Sequence, residues 1–153
     1  MERNTNDLTE TLKQAAGSGV DAWFTDNREE MLDGERPFAV YMRSLIDAKG
    51  VSRQNMFLES DISEGYGYKL LSEEKRTRRR DVILCLCIAA HFTLEELQRA
   101  LRLYGMSPLY PRLHRDALII AALSVPAPTV DSVNSFLEAH GEAGIRTWPA
   151  EES

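Results

Sequence analysis

Apolar residues recur along this chain at helical intervals, and no segment sustains the period-two alternation of a half-buried strand. Leu8, Leu12 and Ala15 share one face and predict a helix over 7–16. Val20, Trp23, Phe24, Met31 and Leu32 predict a second over 20–32, after a break at Gly17-Ser18-Gly19. Pro37 suits a first helical position. Phe38, Tyr41, Met42, Leu45 and Ile46 follow it at helical spacing, and Gly50 closes that helix. Ser52 caps a helix over Arg53–Glu59. A short turn, Ser60-Asp61-Ile62, leads to Ser63, which caps a helix reaching Ser72. Thr77 caps a helix over Arg78–His91. Thr93 and Glu96 form a capping box for Leu94–Tyr104, which Gly105 closes. The rigid link Ser107-Pro108-Leu109-Tyr110-Pro111 precedes a helix over Arg112–Leu123. Val125-Pro126-Ala127-Pro128 breaks the chain again, and Thr129 caps a last helix, Val130–His140, ended by Gly141.

The predicted fold class is therefore all-α. The segments divide into an N-terminal helical arm (1–36), a core (37–105), a C-terminal helical extension (106–148) and a tail (149–153) expected to be mobile. One echo runs through the second half. Arg80-Asp81 and Arg115-Asp116 each open an apolar helix, and Gly105 and Gly141 each close the amphipathic helix that follows. Leu94, Glu95, Leu97 and Leu101 correspond to Val130, Asp131, Val133 and Leu137. A duplicated helical hairpin stacked on its parent has this mark. Any two helical hairpins also share it at this level.

Composition adds little to the class and something to the chemistry. Apolar residues make up 43% and charged residues 27%, so most of the chain is expected to fold. The longest apolar run, Val82–Ala90, has nine residues, far short of the roughly 20 that a membrane span needs. The polar N-terminus lacks a signal peptide's apolar stretch, which makes the cytoplasm the expected compartment. Cys85 and Cys87 point to different faces of one helix, as core thiols do. The net charge of −6 disfavours non-specific nucleic-acid binding. The charge is uneven, however. Acidic residues fill Asp26–Glu35, whereas Lys69, Lys75, Arg76, Arg78, Arg79 and Arg80 face only Glu73 and Glu74 within 69–80. A run of cations at a helix start opposes the helix dipole, so an anionic partner is the expected reason for it. Arg80, beside Asp81, is the exception and is expected in a structural ion pair.

Met42-x-x-Leu45, Gly50-Val51-Ser52, Met56, Ile62-Ser63, Leu70, Val82-Ile83, Ile88-Ala89 and Leu94-Glu95-Glu96-Leu97 follow one another without a gap. This order resembles the lambda-repressor/Cro-like helix-turn-helix family, the XRE-type regulators. The remainder resembles bacterial proteins that append a helical extension, here through Leu109-Tyr110-Pro111-Arg112 and Arg115-Asp116. The resemblance implies a five-helix core whose third helix, about 63–72, enters the major groove. It implies that Arg53 lies near the phosphates at the start of the second helix, and that Ser63, Glu64, Gly65 and Tyr68 face the groove. Lys69 and the loop carrying Lys75, Arg76, Arg78 and Arg79 would hold the backbone. The expected partner is double-stranded DNA, bound by a homodimer, with the C-terminal hairpin free for dimerisation or for a protein partner. No membrane partner is expected.

Three positions depart from the family pattern. Phe57 stands where a small residue is usual, and its ring is expected to push the second and third helices apart or change their angle. Asp61 stands where Gly is usual, and Ser60 where an apolar residue is. The third helix exposes Glu64, Gly65, Gly67, Tyr68 and Lys69, none of them the Arg, Asn or Gln that read bases with paired hydrogen bonds. Its two glycines cost roughly 2 kcal/mol relative to alanine. These departures support a second reading, a protein-interaction module that keeps the scaffold and no longer reads DNA.

No catalytic or cofactor site is predicted. His91, His114 and His140 lie far apart without the short spacing that zinc ligands need. Gly65-Tyr66-Gly67 lacks the strand and the downstream Lys-Ser/Thr of a phosphate loop. Nothing groups Ser, His and Asp into a triad. Trp23 and Trp148 are expected to pack terminal segments onto the bundle.

Overall fold

The structure, a computed structural model, describes residues 5–27 and 36–148. Met31, Leu32, most of the acidic stretch and the tail at 149–153 lie outside the described residues. The described residues form helices and no strand: α1 (Thr5–Ala15), α2 (Val20–Asp26), α3 (Pro37–Lys49), α4 (Arg53–Ser60), α5 (Glu64–Leu71), α6 (Arg80–Ala89), α7 (Leu94–Leu103), α8 (His114–Leu123) and α9 (Val130–Ala139). They form two compact units divided between Pro37 and Phe38.

The first unit pairs α1 with α2 around Trp23. Its indole nitrogen donates to Thr11 Oγ1 (2.9 Å) and its ring meets Phe24 edge-on. Trp23 is thus buried within its own unit. Trp148 differs from the expectation: it is 54% exposed, with the Arg146 guanidinium over its ring.

The second unit is built around α6. All of Val82–Ala89 is buried, as befits a helix apolar on every side. Around it lie Phe38, Met42 and Ile46 of α3, Met56 and Phe57 of α4, Leu70 of α5 and Leu97 and Leu101 of α7. Val133 and Leu137 of α9 complete that core. The capping boxes at Thr93 and Thr129 both form, and Ser52 Oγ accepts the Asn55 N–H. Gly50, Gly105 and Gly141 close their helices in the left-handed region. Two starts differ from expectation. Ser63 sits at the N-cap of α5 without a side-chain cap bond, and α6 begins two residues later than predicted. Thr77 does accept a backbone hydrogen bond, but from Arg79 ahead of the helix.

The three departures around the α4–α5 turn have local explanations. Asp61 takes φ 56° and ψ 46°, the left-handed conformation that Asp adopts more readily than most side chains. Ser60 is buried, and its hydroxyl donates to the Cys85 carbonyl of α6 (3.2 Å), tying the turn to the central helix. Phe57 is seated against α5 where a side chain is missing. Its ring occupies the space above Gly67, where an added Cβ would lie 2.4 Å from Phe57 Cε1. Gly67 is therefore buried, not exposed as its place in the sequence suggested. The large residue and the absent side chain are one complementary pair.

The echo in the sequence recurs as hydrogen bonds. Arg80 pairs with Asp116, not with its neighbour Asp81, and Arg115 pairs with Asp81 through two 3.0 Å bonds. The two helix starts thus exchange partners. Arg80 also reaches the carbonyls of Ser107 and Pro108, and Arg115 those of Ala143 and Gly144, each 36 positions on. The Gln98 amide clamps the backbone N–H and C=O of Leu109, and the Asn134 amide clamps those of Ile145, again 36 positions on. Generic hairpins do not share such bonds, so α6–α7 and α8–α9 with their following loops are two instances of one design.

The glycines of α5 separate helix propensity from packing. Nothing lies within 4 Å of a Cβ built on Gly65, so Gly65→Ala should stabilise the chain by up to about 1 kcal/mol in urea unfolding. Gly67→Ala should instead destabilise it by about 1–2 kcal/mol through overpacking, and the loss should shrink in a Phe57→Ala background. Equal and additive effects at the two glycines would contradict the pairing.

Candidate nucleic-acid interface

α4 and α5 are joined by Asp61-Ile62-Ser63, and the outward side of α5 presents Ser63, Glu64, Gly65, Tyr68 and Lys69, all exposed. The Tyr68 ring stands edge-on to Phe57 with centroids 5.1 Å apart, which holds an exposed aromatic in a fixed orientation. Leu58, on α4, is 79% exposed. A residue from far along the chain grips the turn: the buried Thr147 hydroxyl lies 2.7 Å from the Ser60 carbonyl and 3.0 Å from that of Asp61. No local pattern pointed to Thr147, because its partners are 86 and 87 positions away.

The loop after α5 is ordered by its own bonds. Glu73 takes φ 60°, and the Lys75 N–H donates to the Lys69 carbonyl (3.1 Å), folding the loop back onto the last turn of α5. The Glu73 carboxylate accepts the Ala39 N–H at the start of α3 and a hydrogen bond from Arg76. Arg76 also donates to the Tyr104 carbonyl at the end of α7 and stacks over the Tyr104 ring, 3.9 Å from its centroid. The Tyr104 phenol accepts the Thr77 N–H (2.7 Å), and burial pushes its pKa up. Glu73, Arg76, Thr77 and Tyr104 thus join α3, the loop and α7.

The ten candidate residues separate into two sets. Arg53 is ion-paired with Asp47 (3.0 Å), Arg76 is held as just described, and Arg79 donates to the carbonyls of Arg146 and Trp148. Arg76 and Arg79, together with Arg80, are three of the six cations in the run over 69–80. The fold itself therefore uses Arg76 and Arg79 as well as Arg80, for which an ion pair was expected, so these three cations have structural partners without an anionic ligand. Lys69, Lys75 and Arg78 are exposed, as are Ser63, Glu64, Gly65 and Tyr68, and the Lys75–Lys69 backbone bond brings Lys75 beside the last turn of α5.

Among the described residues no three His, Cys, Asp or Glu side chains converge on a metal position. Cys85 and Cys87 are free and buried, and burial pushes the Cys85 thiol up to about 12. No helix among the described residues is long and apolar enough to cross a membrane. Comparison with family models, curated proteins and solved structures finds no match to the chain.

The loop network and the exposed lysines should respond differently to truncation. Glu73→Ala leaves Arg76 and the Ala39 N–H without their carboxylate and should lower unfolding stability by about 2–3 kcal/mol. Lys75→Ala should change it by no more than about 0.5 kcal/mol. Denaturant melts of the two variants check this, and a neutral Glu73→Ala would contradict the network.

Proposed function

We propose that the chain is a lambda-repressor-like regulator that binds double-stranded DNA, laying α5 in the major groove and gripping phosphates with Lys69, Lys75 and Arg78. The observation that carries this reading is the Lys75–Lys69 backbone bond. It sets a cationic edge beside an exposed helix face, the pairing of phosphate grip and groove contact that DNA recognition uses. Gly65 adds to it: with no side chain there, the backbone of α5 can come close to a groove wall. Such a protein would work in the cytoplasm of a bacterial cell, on paired half-sites.

A second reading has its own observation. Leu58 on α4 is 79% exposed and Tyr68 on α5 45%, α5 carries no Arg, Asn or Gln, and the whole chain is acidic. Exposed apolar groups of this kind mark protein contacts. On this reading α4 and α5 keep their scaffold and meet a protein.

Selection of bound duplexes from a random pool at near-physiological salt separates the two. The DNA reading expects a recovered motif and an affinity that falls steeply with salt. Charge reversal of Lys69, Lys75 and Arg78 together should abolish binding, and neutralising any one should flatten the salt slope by about 1. No enrichment, with negligible binding at low salt, would overturn it in favour of a protein partner.

A further inference from the structure

The two repeated hairpins are alike in bonding and unlike in burial. Ala117, Ala121 and Val125 follow one another at four-residue intervals along α8 and just past its end. Their counterparts on α6, 35 positions earlier, are Val82, Leu86 and Ala90, at 1%, 0% and 0% exposure. Ala121 and Val125 are exposed, Val125 at 52%. Tyr110 and Leu113 extend the same stripe at its start, at 51% and 54%. Within this unit α4 covers α6, whereas α8 packs extensively on α9 alone. The second copy of the design thus lacks the cover that the first has.

We infer that this stripe is a self-association surface, on which the α8 of a second copy of the chain packs antiparallel. Its charge pattern carries the choice of occupant. No charged residue occurs from Ala117 to Thr129, so the surface suits an equally uncharged partner. Ala117 and Ala121 let a second helix come close. The connection at 124–129 is short, so α9 runs back along α8, and the exposed Asp131 in its first turn lies near the C-terminal end of α8. Exposed Arg112 stands just ahead of the N-terminal end. An antiparallel two-fold brings Arg112 of each copy toward Asp131 of the other. A parallel arrangement would oppose Arg112 with Arg112. A closed two-fold of this kind repeats one patch on both subunits. It does not rest on the DNA reading, since it uses none of the residues on α5 or its loop.

Sedimentation equilibrium of the full chain tests it. One helix pair buries less than the roughly 800 Å² per partner of a standard interface, so a dimer of about micromolar strength is expected. Ala121→Arg should weaken it at least about tenfold, and Val125→Lys, outside the helix, should do the same should the first variant unfold. Arg112→Asp should weaken it, and adding Asp131→Arg should restore it. Leu58→Lys, at another exposed apolar position, should leave it unchanged. A monomer up to about 100 μM would overturn the proposal and leave the stripe to another occupant. A dimer indifferent to Ala121→Arg and Val125→Lys, or one lost equally to Leu58→Lys, would also overturn it.

Discussion

A helix apolar on every side can exist in a small protein only if other elements enclose it, and α6 imposes that demand here. Its buried side chains exclude water all round, so the surrounding helices must supply matching apolar faces. Its polar attachments are few and specific. Ser60 bonds the Cys85 carbonyl, and Asp81 at the N-terminal end receives Arg115 from the second hairpin. Arg80 answers with Asp116, a carboxylate only 2% exposed that also accepts the Tyr110 N–H. These partly buried pairs are bidentate and satisfied on both sides, the condition under which ions removed from water hold a structure in register. The enclosure thus fixes where α4 and α5 stand, and through them the exposed face that the functional proposal uses.

Much of this was legible along the chain because its causes are local. Helical spacing, the Thr93–Glu96 box and the closing glycines each act within one turn. The helices formed where those signals stood, with ends shifted by a residue or two, except that α2, predicted over 20–32, ends at Asp26 with Asn27 as its C-cap. Phe57 shows where local reasoning stops. Compared with a family pattern it looked like a disruption, because its effect depends on what lies across from it. Gly67 lies across from it, and the cost of glycine in a helix is the condition for seating the ring. Both residues stood out in the sequence; their complementarity needed the tertiary contact.

The candidate interface divides along the same line. Six cations in twelve residues read as one basic patch. Folding separates them by what each can reach: Arg76 finds Glu73 and Tyr104, Arg79 finds carbonyls after α9, and Arg80 finds Asp116. Those partners are distant in sequence except Glu73, so composition cannot sort structural from exposed cations. Thr147 was missed for the same reason. The internal echo fared better, since Arg-Asp and Gly recur at nearly constant offset. Its decisive features, the crossed ion pairs and the two amide clamps, are again tertiary.

Native-state hydrogen exchange, resolved by residue, tests the central place of α6 most directly. If the rest of the second unit depends on enclosing this helix, the amides of Val82–Ala89 should exchange only through global unfolding. The protected amides of α9 should share their free energy, because the crossed Arg–Asp pairs bind the two hairpins into one cooperative unit. Exchange of α6 through a lower-energy local opening, with α9 or α3 still protected, would contradict the account.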